Sequence, residues 1–178
     1  MDIKLLVKIT SRAWALTILA HLDEGVPARQ APLLAATTAG RTAFGASLQH
    51  LVELGLLERN PGHGHPLRPE YRLTPLGREA ARTARRIVNA VPDDRQSALL
   101  RRSWTVPVVA LTQAPQRFSQ IRSHLAPITD RALSQSLQEL EARDWVRRQI
   151  EMSERVPYPT YLAVNTGSQV ANAFGLAG

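Results

Sequence analysis

Ser47-Leu-Gln-His-Leu-Val-Glu-Leu-Gly-Leu-Leu-Glu-Arg59 returns later in the chain as Ser136-Leu-Gln-Glu-Leu-Glu-Ala-Arg-Asp-Trp-Val-Arg-Arg148, an offset of 89 residues. Nearly the same offset holds on either side of this stretch. Upstream, Arg12-Ala-Trp14 is matched by Arg102-Ser-Trp104. Downstream, Tyr71-Arg-Leu-Thr-Pro-Leu-Gly77 is matched by Tyr161-Leu-Ala-Val-Asn-Thr-Gly167, and both of these pairs lie 90 residues apart. Three anchors in one register mark a duplicated domain, since solenoid repeats have much shorter periods. The boundary is expected at Val91-Pro-Asp-Asp-Arg95, giving a first domain at 1–91 with an N-terminal extension and a second at 92–178. So short a join ties the halves closely, and a half of this size has only a marginal core alone.

Periodicity gives each half the same order of elements. A first helix carries Trp14, Leu16, Ile18, Leu19 and Leu22 in the first half. In the second it starts after Ser103, a plausible N-cap, with Pro107 in its first turn. Short second helices are predicted at 28–36 and 118–125, and third helices at 41–54 and 129–143. On the third helices Phe44, Leu48 and Leu51 repeat at i, i+4 and i+7, as do Leu133, Leu137 and Leu140, so that face is core. The opposite face carries Thr42, Ala46 and Gln49 in one half. It carries Arg131, Gln135 and Gln138, with Ser134 beside them, in the other. Arg, Gln and Ser are side chains that read base edges in a major groove. β-Patterns follow at 56–59 and 71–73, and at 145–150 and 161–164, around loops rich in Gly and Pro or in polar residues. Closing helices are predicted at 76–91 and 167–174. The fold class expected is mainly α with small β-hairpin wings: two tandem winged helix-turn-helix domains.

Residues 102–174 resemble the HxlR-type regulators of the wider MarR- and PadR-like group. The resemblance is carried by Trp104, by Arg117-Phe118-Ser-Gln-Ile121-Arg122, and by Ile128-Thr-Asp-Arg-Ala-Leu133-Ser-Gln-Ser-Leu137-Gln-Glu-Leu140-Glu141. Val146-Arg-Arg148, Val156-Pro157 and Tyr161 complete it. The family's wing motif, Tyr-x-Leu-Thr-x-x-Gly, is intact at Tyr71–Gly77 and degraded at Tyr161–Gly167. The resemblance implies a sequence-specific double-stranded DNA-binding transcriptional regulator, a repressor relieved by a small molecule. Single-domain members dimerise through terminal helices, so two covalently joined domains are expected to act as an intrachain pseudo-dimer or to associate further as a homodimer. The DNA-binding residues expected are Arg131, Ser134, Gln135 and Gln138 in the second half and Arg41, Thr42 and Gln49 in the first. Arg68 and Arg155 are expected to contact DNA from the two wings.

Composition fits this reading. The net charge is +7, and residues 1–91 hold 12 Lys and Arg against 7 Asp and Glu, while 92–178 hold 10 against 8. A basic excess favours polyanionic partners. The absence of cysteine excludes disulfides, a Cys nucleophile and the thiol switching known among HxlR-type relatives. His63 and His65 have no third ligand nearby, and neither a metal nor a cofactor is expected. No phosphate loop, Ser-His-Asp context or facing carboxylate pair points to an enzyme. No membrane span or signal peptide is visible, so a cytoplasmic, nucleoid-associated protein is the expectation. Trp14 and Trp104 read as packing residues, with a speculative ligand-stacking role as the alternative. Arg78, Arg82, Arg85 and Arg86 form a stripe that is either a solvated face or a phosphate track. The apolar extension 1–9 either covers the joint between halves or makes a homodimer contact, and nothing of similar pattern precedes Trp104. The competing function is a tandem winged-helix protein–protein scaffold, as in chromosome-segregation accessory proteins. A third reading makes one half a DNA reader and the other a sensing or dimerising relic.

Overall fold

The computed structural model describes residues 1–60, 69–91, 93–153 and 155–175. The first half runs α1 (Ile3–Thr10), α2 (Ala15–Asp23), α3 (Gln30–Thr37), α4 (Arg41–Glu53), β1 (Leu57–Asn60), β2 (Glu70–Leu73) and α5 (Pro75–Asn89). The second runs α6 (Asp94–Ser97) with a 3-10 turn (Ala98–Arg101), α7 (Thr105–Leu111), β3 (Gln116–Arg117), α8 (Phe118–His124) and α9 (Asp130–Ala142). It ends with β4 (Val146–Glu151), β5 (Tyr158–Ala163) and α10 (Asn165–Gly175). Both halves are winged helix-turn-helix folds in which α3–α4 and α8–α9 are the helix-turn-helix pairs. The apolar rows do what their spacing predicts: Phe44, Leu48 and Leu51, and Leu133, Leu137 and Leu140, are all buried.

Each third helix is fixed to its wing by the same backbone device. After α4 the chain turns through Gly55 at φ 68°, and after α9 through Asp144 at φ 56°, the left-handed region that reverses direction in one residue. The closing helix then crosses the strand entrance so closely that a Cβ on Gly77 would sit 1.9 Å from the Leu56 carbonyl oxygen. One on Gly167 would sit 2.0 Å from that of Trp145. This close approach explains why Gly survives in both copies of the wing motif. In the first half Thr74 caps α5, its Oγ1 accepting from Gly77 N (2.9 Å) and donating to the Gly55 carbonyl (2.8 Å). Where the motif degrades, Asn165 replaces the second bond from one residue further on, Nδ2 donating to the Asp144 carbonyl at 3.1 Å.

β1 and β2 pair antiparallel from Leu57 opposite Leu73 to Asn60 opposite Glu70. The second wing is longer, from Val146 opposite Ala163 to Glu151 opposite Tyr158, and gains a third strand where Gln116 and Arg117 pair with Tyr161 and Thr160. A two-residue strand shows no alternation, which is why the sequence does not announce β3. Among the described residues the first half keeps a single bridge there, Arg29 to Glu70, joined by their side chains.

The halves share one continuous hydrophobic core. The closing helices α5 and α10 pack on each other and α1 packs on α7. The extension therefore covers the joint: Leu6 and Ile9 are buried, and Thr10 Oγ1 donates to the Ser103 carbonyl at 2.8 Å. Two expectations need correction. Ser103 is not the N-cap of α7; Trp104 holds that position without a side-chain cap, and Ser103 lends its carbonyl to Thr10 instead. The segment before Trp104 does have a structural counterpart to α1, because α6 and its 3-10 turn bury Leu99 and Leu100 and bring Gln96 to Trp145. Trp145 is fully buried, and its indole N–H donates to Gln96 Oε1 at 2.6 Å, the partner such a nitrogen needs out of water.

Candidate nucleic-acid interface

With three leucines on its inner side, α9 turns Arg131, Gln135 and Gln138 outward along one row at i, i+4 and i+7. All three are exposed, and no hydrogen bond or ion pair to another described residue holds them; Ser134 beside them is half-buried. The helix start is well determined. Thr129 Oγ1 accepts from Ala132 N at 3.2 Å, and Asp130 places a carboxylate in the first turn, where the helix dipole favours it. Arg122 of α8 pairs with that carboxylate, and Arg102 meets Glu139 at 3.3 Å. Asp130 and Glu139 are thus matched by arginines from outside the helix, while the outward row is left unengaged.

The equivalent row on α4 is Thr42, Ala46 and Gln49, exposed in the same register, with Arg41 exposed at the helix start. Here the chemistry is poorer. Gln49 Nε2 donates to Glu53 Oε1 at 3.2 Å, so its amide is engaged by an exposed carboxylate on the same face. Glu53 occupies the position of Ala142 on α9. Sequence spacing puts the two at i and i+4 and could have flagged the pair. His50, also on α4, bonds the Lys8 carbonyl (2.8 Å) and Ser11 (3.2 Å), tying the third helix to the end of α1.

The second wing carries exposed Arg147, Arg148 and Gln149 along β4 and exposed Arg155 at its tip. The β4 arginines escaped the sequence reading because strand positions read first as framework. Glu151 Oε1 accepts from the amides of both Met152 and Ser153 at 3.0 Å, which shapes the tip turn. The bonds from Ser153, with a smaller one from Met152, hold the Glu151 carboxyl below its usual range despite some desolvation. Between this wing and α8, Arg117 stacks its guanidinium 3.5 Å from the centre of the Tyr158 ring. In the first wing Arg59 and Arg72 are exposed, and Arg68 lies outside the described residues, as do His63 and His65.

The arginine stripe of α5 is mostly tied down. Arg85 pairs with Asp23 of α2 at 3.2 Å, Arg78 donates to the Leu73 carbonyl (3.1 Å), and Arg86 donates to Thr83 Oγ1 (3.1 Å). The first two contacts staple the closing helix to α2 and β2, the Arg86 bond lies within α5, and Arg82 is exposed beside Glu79. Trp14 and Trp104 are half-buried and pack against the shared core. The Arg101 guanidinium of the second half lies 4.9 Å from the centre of the Trp14 ring, a cation–π contact across the joint.

Among the described residues no cluster of three or more His, Asp or Glu would hold a metal, and no helix is long and apolar enough to cross a membrane. A comparison with curated proteins finds no match. A family profile described as HxlR-like helix-turn-helix, a group of DNA-binding transcription regulators, matches residues 9–92 and again 99–175. With both repeats matched and a winged helix-turn-helix in each half, the chain belongs to the HxlR-like helix-turn-helix family as a tandem duplication of its domain.

Proposed function

We propose that the chain is a sequence-specific repressor that reads double-stranded DNA with two recognition helices, α9 leading and α4 following. One observation carries the reading: the outward row Arg131, Gln135 and Gln138 is exposed and unengaged, on a helix whose Asp130 and Glu139 are paired with arginines. Arg pairs bidentately with guanine and Gln with adenine in the major groove, and neither has an internal role on this face. Arg155 and Arg148 of the second wing, and Arg68 and Arg59 of the first, contact phosphates or the minor groove and fix register without reading sequence. Covering a site of two adjacent half-sites obstructs transcription from it. The chain works in the cytoplasm at the nucleoid, as a pseudo-dimer in itself.

Because the row on α4 is weaker, the half-sites are unequal. An aromatic or apolar effector, if one releases the DNA, lodges at the joint near Trp14 and Trp104, where displacing Arg101 from the Trp14 ring would loosen one half against the other. Binding measured against salt tests the core of this reading. With about six phosphates contacted, affinity falls about a thousandfold between 50 and 200 mM salt. Flat affinity, or no binding to any selected duplex, favours the protein–protein scaffold instead.

A further inference from the structure

The two reading helices are held at matching positions. His50 of α4 and Glu139 of α9 are 89 residues apart, the offset that relates the two helices. His50 Nε2 lies 2.8 Å from the Lys8 carbonyl oxygen, which can only accept, so this nitrogen carries the proton and donates. Ser11 Oγ lies 3.2 Å from the same nitrogen and donates to that carbonyl at 2.7 Å. The Trp14 amide donates to Ser47 Oγ, also of α4, at 3.3 Å. Glu139 is met at 3.3 Å by Arg102, from the equivalent stretch of the second half. The two stretches are in turn joined to each other. Buried Thr10 Oγ1 has the Leu6, Val7 and Ser103 carbonyls within reach, and Ser103, across the joint, is nearest at 2.8 Å. Beside it the Arg101 guanidinium lies over the Trp14 ring. A line of polar contacts thus runs from α4 through 8–14 and 101–104 to α9.

We propose that this line is a strut that fixes the separation and relative rotation of α4 and α9, and hence the half-site spacing the chain accepts. The consequence for DNA rests on the reading proposed above. The apolar joint, α5 on α10 and α1 on α7, holds the halves together, but burial is non-directional and alone lets packed helices slide. Hydrogen bonds to the Lys8 and Ser103 carbonyls fix distance and angle and remove that freedom. One base pair of altered spacing moves a half-site by about 3.4 Å and turns it by about 35°, more than such bonds can follow. The arms of the strut are unequal. Around α4 its bonds reach backbone groups, whereas the Arg102 and Glu139 side chains are 67% and 34% exposed and their pairing is weakened by solvent. The poorer reading helix is the more firmly placed one.

The test uses the full chain in two arms. Because the chain has no cysteine, Ala46→Cys with Gln138→Cys gives one spin label on each reading helix, both at exposed positions. In the free protein the label-to-label distance should form one narrow distribution. Thr10→Val, which removes the hydroxyl and keeps the shape, and His50→Ala should each broaden it. His50→Gln, which keeps a donor, should restore it. In the second arm the same variants, without the labels, bind duplexes whose two selected half-sites are moved apart or together by one base pair. Each broken bond should reduce the preference for the selected spacing by about two- to tenfold, the worth of one hydrogen bond, with affinity for a single half-site unchanged. Arg102→Ala should reduce it least. Variants that keep the wild-type label distribution, or the wild-type spacing preference, overturn the strut. So does an equal loss at every spacing and on single half-sites, the mark of a merely destabilised fold. Absence of any duplex binding removes the DNA reading, and the label distances then still decide whether the strut exists.

Discussion

The helices α4 and α9 are both 13 residues long, sit in equivalent places and bury the same apolar row, yet they show solvent different chemistry. Where the second half presents Arg131, Gln135, Gln138 and Ala142, the first presents Thr42, Ala46, Gln49 and Glu53, with Gln49 engaged by Glu53. Inside, the copies have barely moved. The left-handed turn persists at Gly55 and Asp144, and the sterically obligatory glycine persists at Gly77 and Gly167. Positions tied by steric contact hold their chemistry after duplication, and positions that meet only solvent or a partner drift. The wings diverge in the same way. The Arg29–Glu70 pair of one half becomes, in the other, Arg117 stacked on Tyr158 and facing Thr160 across the strand.

The comparison matters only if the halves act together, and separating them gives the largest expected effect. Expressed as 1–91 and 92–178, the halves lose the α1–α7 and α5–α10 contacts and the effective concentration of one for the other. DNA affinity of either fragment should fall by about 10²–10⁴, with visibly lower melting temperatures. Fragments that are stable and bind as tightly as the whole would end the idea of a coupled reader.

The conserved interior comes next. Gly77→Ala and Gly167→Ala each force a Cβ into a backbone carbonyl, so both should cost about 3 kcal/mol in thermal or denaturant unfolding, alike in the two halves. A marked inequality would mean that one copy has room to relax. The reading faces should behave oppositely. Arg131→Ala, Gln135→Ala and Gln138→Ala should each cost about 1–3 kcal/mol on the preferred site and relax it at particular base pairs. Thr42→Ala and Gln49→Ala should cost clearly less. Arg68→Ala and Arg155→Ala should weaken all sequences similarly. Equal losses on specific and random DNA for every variant would mean that α9 does not read bases.

Smaller still is the response of the second wing to acid. Its Glu151 carboxyl is held below the ordinary value of 4.5, so the cap on the tip turn is complete above that value and is lost as pH falls through the lowered one. The Met152 and Ser153 amide resonances should titrate with a midpoint below 4.5. A midpoint at the ordinary value would show the cap to be absent in solution.

Much of the scaffold was legible because it rests on repetition and periodicity. The three anchors located the duplication, and the leucine rows fixed which side of α4 and α9 faces inward. What escaped has no periodic trace. The two-residue β3 is too short to alternate, and the bond from Trp145 to Gln96 joins positions 49 residues apart. The worn motif at Tyr161–Gly167 concealed a repair, because Asn165 takes over the bond of Thr74 from a neighbouring position. The outward rows were legible as residue types. That Gln49 is engaged while Gln135 and Gln138 are not required side-chain geometry.

The central claim, one chain reading DNA through two unequal faces, is tested most directly by selecting bound duplexes from a random pool with the wild-type protein and with Arg131→Ala. The account predicts two half-sites centred about one helical turn apart, roughly 10–10.5 base pairs, one sharply defined and one loose. Arg131→Ala should blur only the sharp one. A perfectly symmetric site, blurring of both half-sites together, or no enriched duplex would contradict it.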